Sequence, residues 1–176
     1  MKKYLYMIAA LFGIDYFCKE NIEAQKPEDF PRDMEKSHGK IRLYRNHNDG
    51  FCFGVKKEKK ELVRMVPVVF TSAAAGILTW LLCRDEGRKA DRIGFALITA
   101  GNLYDRLKRG YVVDYFSIRC KYLEKVVFNL GDFFIFAGSA LIAASDLLGA
   151  VRDLTSPAED HIKVLRLPWR KTDEAE

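Results

Sequence analysis

Two long uncharged segments constrain the fold of this chain more than any other feature. Residues 65–83 carry no charged side chain, and residues 126–145 carry only one, Asp132. About 20 apolar residues in succession make a helix long enough to span a membrane. Helices buried in a soluble core seldom go so far without a polar stripe. Membrane insertion is therefore favoured over the alternative, a helical hairpin in a soluble core.

The overall composition hides this pattern. Apolar residues make up 49% and charged residues 30% of the 176 positions, which suits a single soluble domain equally well. The N-terminus, Met-Lys-Lys followed by apolar residues 4–14, imitates a secretory signal peptide, but no small-residue cleavage site follows it. We interpret this segment as a retained first membrane helix with Asp15 at its far end.

The hydrophobic pattern predicts four helices, over about residues 3–18, 63–83, 91–107 and 126–149. The third has the weakest pattern, because only thirteen residues separate Asp91 from Asp105 and Asn102 is among them. Such a helix needs neighbours to cover its polar face, and a polar site is expected there. The sequence thus predicts an all-α membrane protein with four transmembrane helices.

A small β element is predicted between the first two helices. Residues 40–45 and 50–55 have strand character, and the Asp49-Gly50 step between them is a good hairpin signal. Metal-binding patterns are missing from the sequence: the cysteines form no Cys-x-x-Cys pair and the histidines show no His-x-x-x-His spacing. We therefore expect no metal site.

Two aspartates stand at the edges of apolar stretches. Asp114 lies in a Val-Val-Asp sequence and Asp132 ends a Phe-Asn-x-x-Asp sequence. Ionisable groups at membrane depth are costly and usually functional, and two adjoining carboxylates can share one proton and activate water, as in aspartic proteases. Asp114 could equally be a helix cap or a surface loop residue. The residues alone leave catalytic and structural roles evenly balanced.

Four clusters follow one another in a specific order. They are Asp15 with Lys19, residues 48–53, residues 101–106 with 110–115, and residues 128–132. In this order the chain resembles the lipoprotein signal peptidases (signal peptidase II), which are four-helix membrane aspartic proteases. The spacing from Gly-Asn-x-x-Asp-Arg to Val-Val-Asp is the most discriminating part.

The resemblance implies roles for the polar residues of the last two clusters. It makes Asp114 and Asp132 the catalytic pair, which would hold a water between them. It places Asn102 and Asn129 beside that pair, where they would hydrogen-bond the carboxylates or the substrate backbone.

Other residues receive supporting roles from the same resemblance. Asn48 and Gly50 would belong to a substrate-facing β element. Asp105 and Arg106 would form a structural ion pair at the end of the third helix, or one of them would contact another loop.

The chain also departs from the family pattern. Asp15 and Lys19 occupy the Asp-Gln-x-x-Lys motif, which would shape the site without reacting, but Tyr16 replaces the usual Gln. Gly131 stands for the usual Ala, and a bulky pair at 97–98 stands for Gly-Gly. That bulk leaves open how closely the third helix approaches its neighbours.

The resemblance implies a membrane aspartic endopeptidase that removes signal peptides from diacylglyceryl-modified prolipoproteins, cutting before the lipidated cysteine. It requires no cofactor, and its partners would be the lipid-modified precursor and membrane lipids, with no nucleic acid. We expect a monomer, multi-pass in the bacterial cytoplasmic (inner) membrane. Residues 1–150 would form the four-helix peptidase domain, with an extracytoplasmic segment over about 19–62, and residues 151–176 a polar cytoplasmic tail.

The charge distribution opposes this orientation, because the outer segment 19–64 contains twelve Lys and Arg residues and positive charges favour the cytoplasmic side. Two rival functions remain from the sequence. One is a proton-coupled transporter in which Asp132 relays protons, although no internal repeats support it. The other is a non-proteolytic relative that acts as a membrane interaction protein.

Overall fold

The described residues are mostly helical and form one small antiparallel sheet. The computed structural model describes residues 2–49, 60–85 and 87–155. The elements are α1 Lys2–Glu23, a 3-10 turn Pro27–Asp29, β1 Arg32–Asp33, β2 Ile41–Asn48, α2 Lys60–Cys83, α3 Lys89–Thr99, α4 Leu103–Lys108, β3 Val112–Ile118 and α5 Leu130–Thr155. Gly50, the predicted strand at 50–55 and residues 156–176 of the predicted tail lie outside the described residues.

In the part of the chain that the structure describes, two helices have the length and composition to cross a membrane. Their apolar spans are Met65–Cys83 in α2 and Leu130–Arg152 in α5, and only 22% and 11% of these spans are buried inside the protein. A core helix of a soluble protein would be mostly buried, so these spans match lipid-facing helices. The other two predicted spans stay predictions: α3 has 11 residues, about 17 Å of helix, against a hydrocarbon core of about 30 Å.

The prediction of one continuous helix over 91–107 is wrong. α3 ends at Thr99, because its C-cap Ala100 has a ψ of 0°, and the short helix α4 begins only at Leu103. Gly101 lies in the break, where an added Cβ would be 2.8 Å from the side chain of Ile135 in α5. The break places Asn102 against the beginning of α5. In one continuous helix Asn102 would not reach this position.

The last long helix begins four residues later than predicted, at Leu130 rather than 126. The difference arises because Phe128, two residues before the helix, is hydrogen-bonded to Phe116 of the sheet. Its N–H donates to the carbonyl of Phe116 at 2.7 Å, and the N–H of Phe116 donates back at 3.0 Å. This isolated bridge keeps Phe128 itself out of the helix and places Asp132 in the first turn of α5.

The first strand of the predicted β element is present as β2, whereas its predicted hairpin partner at 50–55 lies outside the described residues. In the described residues the strand order is β1-β2-β3, all antiparallel, and Asn46 of β2 pairs with Asp114 of β3. The register shifts between Leu43 and Asn46, a bulge next to the aspartate. Asp114 therefore lies on a strand, not at a helix cap or in a loop.

The tightest helix contact joins α3 to α5 at two glycines. A Cβ on Gly94 would lie 2.8 Å from the carbonyl oxygen of Gly138, and a Cβ on Gly138 would lie 2.5 Å from that of Gly94. Small residues of this kind allow membrane helices to approach closely. The bulk at 97–98 does not prevent this close approach, since the contact runs through Gly94 and Gly138, and Ile98 is buried beside it.

Candidate active site

Asp114 and Asp132 come from different elements and are joined through one buried asparagine. The side-chain amide of Asn129 donates to Oδ1 of Asp114 at 2.7 Å, and its backbone N–H donates to Oδ2 of Asp132 at 3.1 Å. Asn129 itself is completely buried. One residue therefore sets the position of both carboxylates.

Asn129 and Asp132 also form the N-terminal cap of α5. The backbone N–H of Asp132 donates to Oδ1 of Asn129 at 3.0 Å, while Asp132 accepts the N–H of Asn129. This reciprocal arrangement is that of a capping box, with Asn and Asp three residues apart. A carboxylate in the first turn is also favoured by the helix dipole. The Phe-Asn-x-x-Asp sequence thus explains locally why Asp132 is held so firmly.

The remaining oxygens of the two carboxylates are held by two further asparagines. Asn48 Nδ2 on β2 donates to Oδ2 of Asp114 at 2.9 Å. Asn102 Nδ2, in the break between α3 and α4, donates to Oδ1 of Asp132 at 2.7 Å. All four carboxylate oxygens therefore accept a hydrogen bond. The structure brings together five of the predicted site residues: Asn48, Asn102, Asp114, Asn129 and Asp132.

The buried ammonium of Lys19 contacts this group of residues through Asn102. Lys19 is 2% exposed and its Nζ lies 2.5 Å from Asp15, 2.8 Å from Asp105 and 2.7 Å from Oδ1 of Asn102. An ammonium has three donors and no acceptor, so these contacts use its full capacity. It fixes the carboxamide of Asn102 with its oxygen toward Lys19 and its NH2 group toward Asp132. Asp15 and Lys19, for which the resemblance implied a role in shaping the site, thus contact each other, and Lys19 contacts Asn102.

The predicted pair Asp105 and Arg106 divides between two partners. Asp105 contacts Lys19 and also Nη1 of Arg109 at 2.6 Å. Arg106 Nη1 donates to the backbone carbonyl of Asn48 at 3.1 Å, which supports the strand residue that holds Asp114. This contact matches the second of the two predicted roles, that of a partner for another segment.

Two residues of the site region were missed by sequence reasoning. Arg109 contacts Asp105, and the i, i+4 spacing of the two on a helix was an available signal. The Tyr115 hydroxyl donates to Asp15 at 3.3 Å and accepts the N–H of Leu130 at 3.3 Å, so it links α1 to the start of α5. Nothing in the sequence beyond its position after Asp114 indicates that role.

The surroundings of Asp114 raise its pKa above the ordinary value of an aspartate. The residue is 3% exposed, and burial, reinforced by the negative charge of Asp132, raises its pKa from 3.8 to about 6. The amide donors of Asn129 and Asn48 and the charge of Lys19 act in the opposite direction but are outweighed. Within the described part of the chain, no group of three or more His, Cys, Asp and Glu side chains is suited to a metal ion.

Comparisons with known proteins agree with this geometry. The family model described as signal peptidase (SPase) II matches residues 7–148. A lipoprotein signal peptidase of Mesorhizobium japonicum is 29% identical over 154 residues, 85% of this chain and 88% of that protein. One from Brucella ovis is 34% identical over 119 residues, 66% of this chain and 73% of that protein.

A solved structure shows the same fold. A bacterial membrane enzyme determined by the in meso method superimposes with a TM-score of 0.72 at 18% identity, covering 90% of this chain and 95% of that one. These matches do not favour the proton-coupled transporter. The chain belongs to the signal peptidase II family, and it is therefore a peptidase with the fold of a bacterial membrane enzyme.

Proposed function

We propose that this protein is a membrane aspartic endopeptidase that removes signal peptides from diacylglyceryl-modified prolipoproteins, cutting immediately before the lipidated cysteine. The observation that carries the proposal is the joining of Asp114 and Asp132 through Asn129, within motifs of the signal peptidase II family. The relatives named lipoprotein signal peptidases support the substrate class.

In the proposed mechanism the two carboxylates share one proton. Burial and the charge of Asp132 raise the pKa of Asp114 to about 6, which favours retention of a proton by the pair. The ionised carboxylate takes a proton from a water lying between the two groups, and the water oxygen attacks the scissile carbonyl carbon. The protonated carboxylate donates a hydrogen bond to the carbonyl oxygen. When the C–N bond breaks, a proton passes to the leaving nitrogen.

The asparagines would act by holding the carboxylates in a reactive orientation. Each of the two aspartates accepts a hydrogen bond at both carboxylate oxygens. Neither carboxylate can therefore rotate about its Cβ–Cγ bond without breaking a hydrogen bond. Preorganised groups avoid the cost of reorganisation during reaction. Asn48, Asn102 and Asn129 are therefore positioning residues, and Asn48 would also lie beside the bound peptide.

We further propose a four-span topology in the bacterial cytoplasmic membrane, with both termini inside and the protein active as a monomer. α2 and α5 would cross as complete helices, and α1 and α3 with α4 would complete the bundle. Exposed apolar side chains along α2 and α5 support their contact with lipid. The acyl chains of the substrate would lie in that lipid, with the sheet at the outer surface.

The decisive experiment measures cleavage of a lipid-modified precursor by purified, detergent-solubilised protein. Asp114→Asn and Asp132→Asn should each reduce the rate by about 1,000-fold or more, because general acid–base groups contribute factors of this order. Asp33→Asn is the matched control, since Asp33 is an exposed aspartate on β1 paired only peripherally, with Arg119 at 3.4 Å. Normal cleavage by either of the two buried-site variants would refute the proposal.

A further inference from the structure

A continuous chain of short polar contacts connects a peripheral arginine to Asp132. Arg109 Nη1 lies 2.6 Å from Oδ1 of Asp105, whose Oδ2 lies 2.8 Å from Nζ of Lys19. Lys19 then donates to Oδ1 of Asn102 at 2.7 Å, and Asn102 Nδ2 donates to Asp132 at 2.7 Å. Each member therefore contacts the next directly, without an intervening residue.

Lys19 is shared between more acceptors than one cation can neutralise. Asp15 and Asp105 both face its ammonium, and all three side chains are at most 5% exposed. A buried carboxylate that lacks a partner is strongly disfavoured. Arg109 supplies the second cation, because it neutralises Asp105 from the side opposite to Lys19. This leaves one of the three ammonium donors for Asn102.

Arg109 is itself held in place from outside the chain of contacts. Its guanidinium forms an ion pair with Glu20 of α1 and lies over the ring of Tyr16, 5.9 Å from the ring centroid. Tyr16 also packs edge to face against Tyr104, at 5.4 Å between ring centroids. Tyr16 is one of the positions where this chain departs from the family pattern. Side chains on α1 and α4 thus fix the arginine next to Asp105.

We propose that Arg109 is a positioning residue of the peptidase site. Arg109 acts on Asp132 through its contact with Asp105 and, from there, through Lys19 and Asn102. The inference rests on the function proposed above. Without Arg109, the carboxylate of Asp105 loses its partner at Oδ1 and draws the ammonium of Lys19 toward itself. The carboxamide of Asn102 then loses the cation that orients it, and Asp132 loses a well-placed donor.

The kinetic test compares three single variants in the precursor cleavage assay. Arg109→Ala should lower kcat by about 10- to 100-fold with little change in KM, because small misplacements of reacting groups cost factors of this size. Arg109→Lys keeps a cation beside Asp105 and should restore most of the rate. Arg119→Ala is the matched control: it removes an arginine paired with Asp33 at the sheet edge and should leave kcat unchanged.

A double-mutant cycle separates positioning from general destabilisation. If Arg109 acts through Asn102, then adding Arg109→Ala to an Asn102→Ala protein should cause almost no further loss of kcat. Independent effects that multiply would overturn the inference, as would an unchanged kcat in Arg109→Ala while the wild type cleaves normally. A wild type that fails to cleave would instead refute the proposed function.

A spectroscopic readout requires no peptidase activity. In protein labelled with ¹⁵N-asparagine, the side-chain amide signal of Asn102 is assigned by its loss in Asn102→Ala. Arg109→Ala should shift that signal, and Arg109→Lys and Arg119→Ala should shift it much less. An unmoved Asn102 signal in folded Arg109→Ala protein would show that the chain of contacts does not transmit the effect. If Arg109→Ala does not fold, a wild-type-like signal and kcat in Arg109→Lys still support the inference, and their loss refutes it.

Discussion

The site region and the apolar helices of this protein have opposite distributions of polarity. Around the aspartates the charged side chains are inside: Lys19 and Asp105 are each 2% exposed. Along α2 and the second half of α5 many large apolar side chains are outside, with Phe70 53% and Leu148 70% exposed. A water-soluble domain normally has the reverse arrangement. The difference indicates that lipid surrounds the apolar helices, whereas polar groups of the protein itself solvate the charged side chains of the site region.

The two regions should therefore respond differently to the same kind of substitution. In the site region each charge depends on a specific partner, so the loss of one side chain leaves another buried and unpaired. The exposed apolar side chains of α2 and α5 depend much less on a specific partner. Three predictions test this contrast, from the largest expected effect to the smallest.

Replacement of the buried ammonium should have the largest effect on stability. Lys19→Met leaves Asp15 and Asp105 without their common cation and should lower the free energy of unfolding by about 3–5 kcal/mol, the usual cost of breaking a buried ion pair. Thermal or denaturant unfolding in detergent measures the change. Lys26→Met is the control, because Lys26 is exposed just beyond the same helix. Equal stability of the two variants would contradict the proposed contrast.

The second prediction concerns the pH dependence contributed by Asp114. Its pKa is raised from 3.8 to about 6 in the folded state, so the folded protein binds the proton more tightly than the unfolded chain. Its contribution to stability is therefore complete below pH 3.8 and is lost as pH rises through about 6. The full difference is about 3 kcal/mol, from about 1.4 kcal/mol per pKa unit.

Comparison of wild type with Asp114→Asn over this pH range isolates that contribution. The stability difference between the two proteins should change by about 3 kcal/mol in favour of the variant as pH rises from 3.8 to above 6. Asp33→Asn, at an exposed position on β1, should show a much smaller change. A difference between wild type and Asp114→Asn that stays constant with pH would show that Asp114 has an ordinary pKa.

The third prediction compares two helix glycines. A Cβ at Gly94 would lie 2.8 Å from the carbonyl oxygen of Gly138 and 2.5 Å from the side chain of Ile142, whereas a Cβ at Gly76 would meet nothing within 4 Å. Gly94→Ala should therefore destabilise the protein by about 1–3 kcal/mol through overpacking. Gly76→Ala should stabilise it by about 0.5–1 kcal/mol through the better helix propensity of alanine. Unfolding midpoints measure both, and destabilisation by Gly76→Ala would mean that this face of α2 is covered.

Whether a feature could be predicted from the sequence depends on whether neighbouring residues or distant residues produce it. The apolar spans in α2 and α5 were predicted because lipid acts on a local run of residues. The capping of Asp132 by Asn129 is also local, since the two lie three residues apart. By contrast, the break after Thr99 and the late start of α5 were missed, because Ile135 and Phe116 impose them from other elements.

The sequence by itself determined the two apolar spans, and the order and spacing of its motifs, through their resemblance to a known family, predicted the candidate site residues: both aspartates, the asparagines and Lys19. Only the tertiary structure decided how they are connected. The pairing of β2 with β3, the sharing of Asn129 by the two carboxylates and the contact of Lys19 with Asn102 all join residues that are distant in the chain or distributed over several elements. Such contacts depend on packing, which no local pattern encodes, whereas hydrophobic length and capping act on neighbouring residues and can be predicted from them.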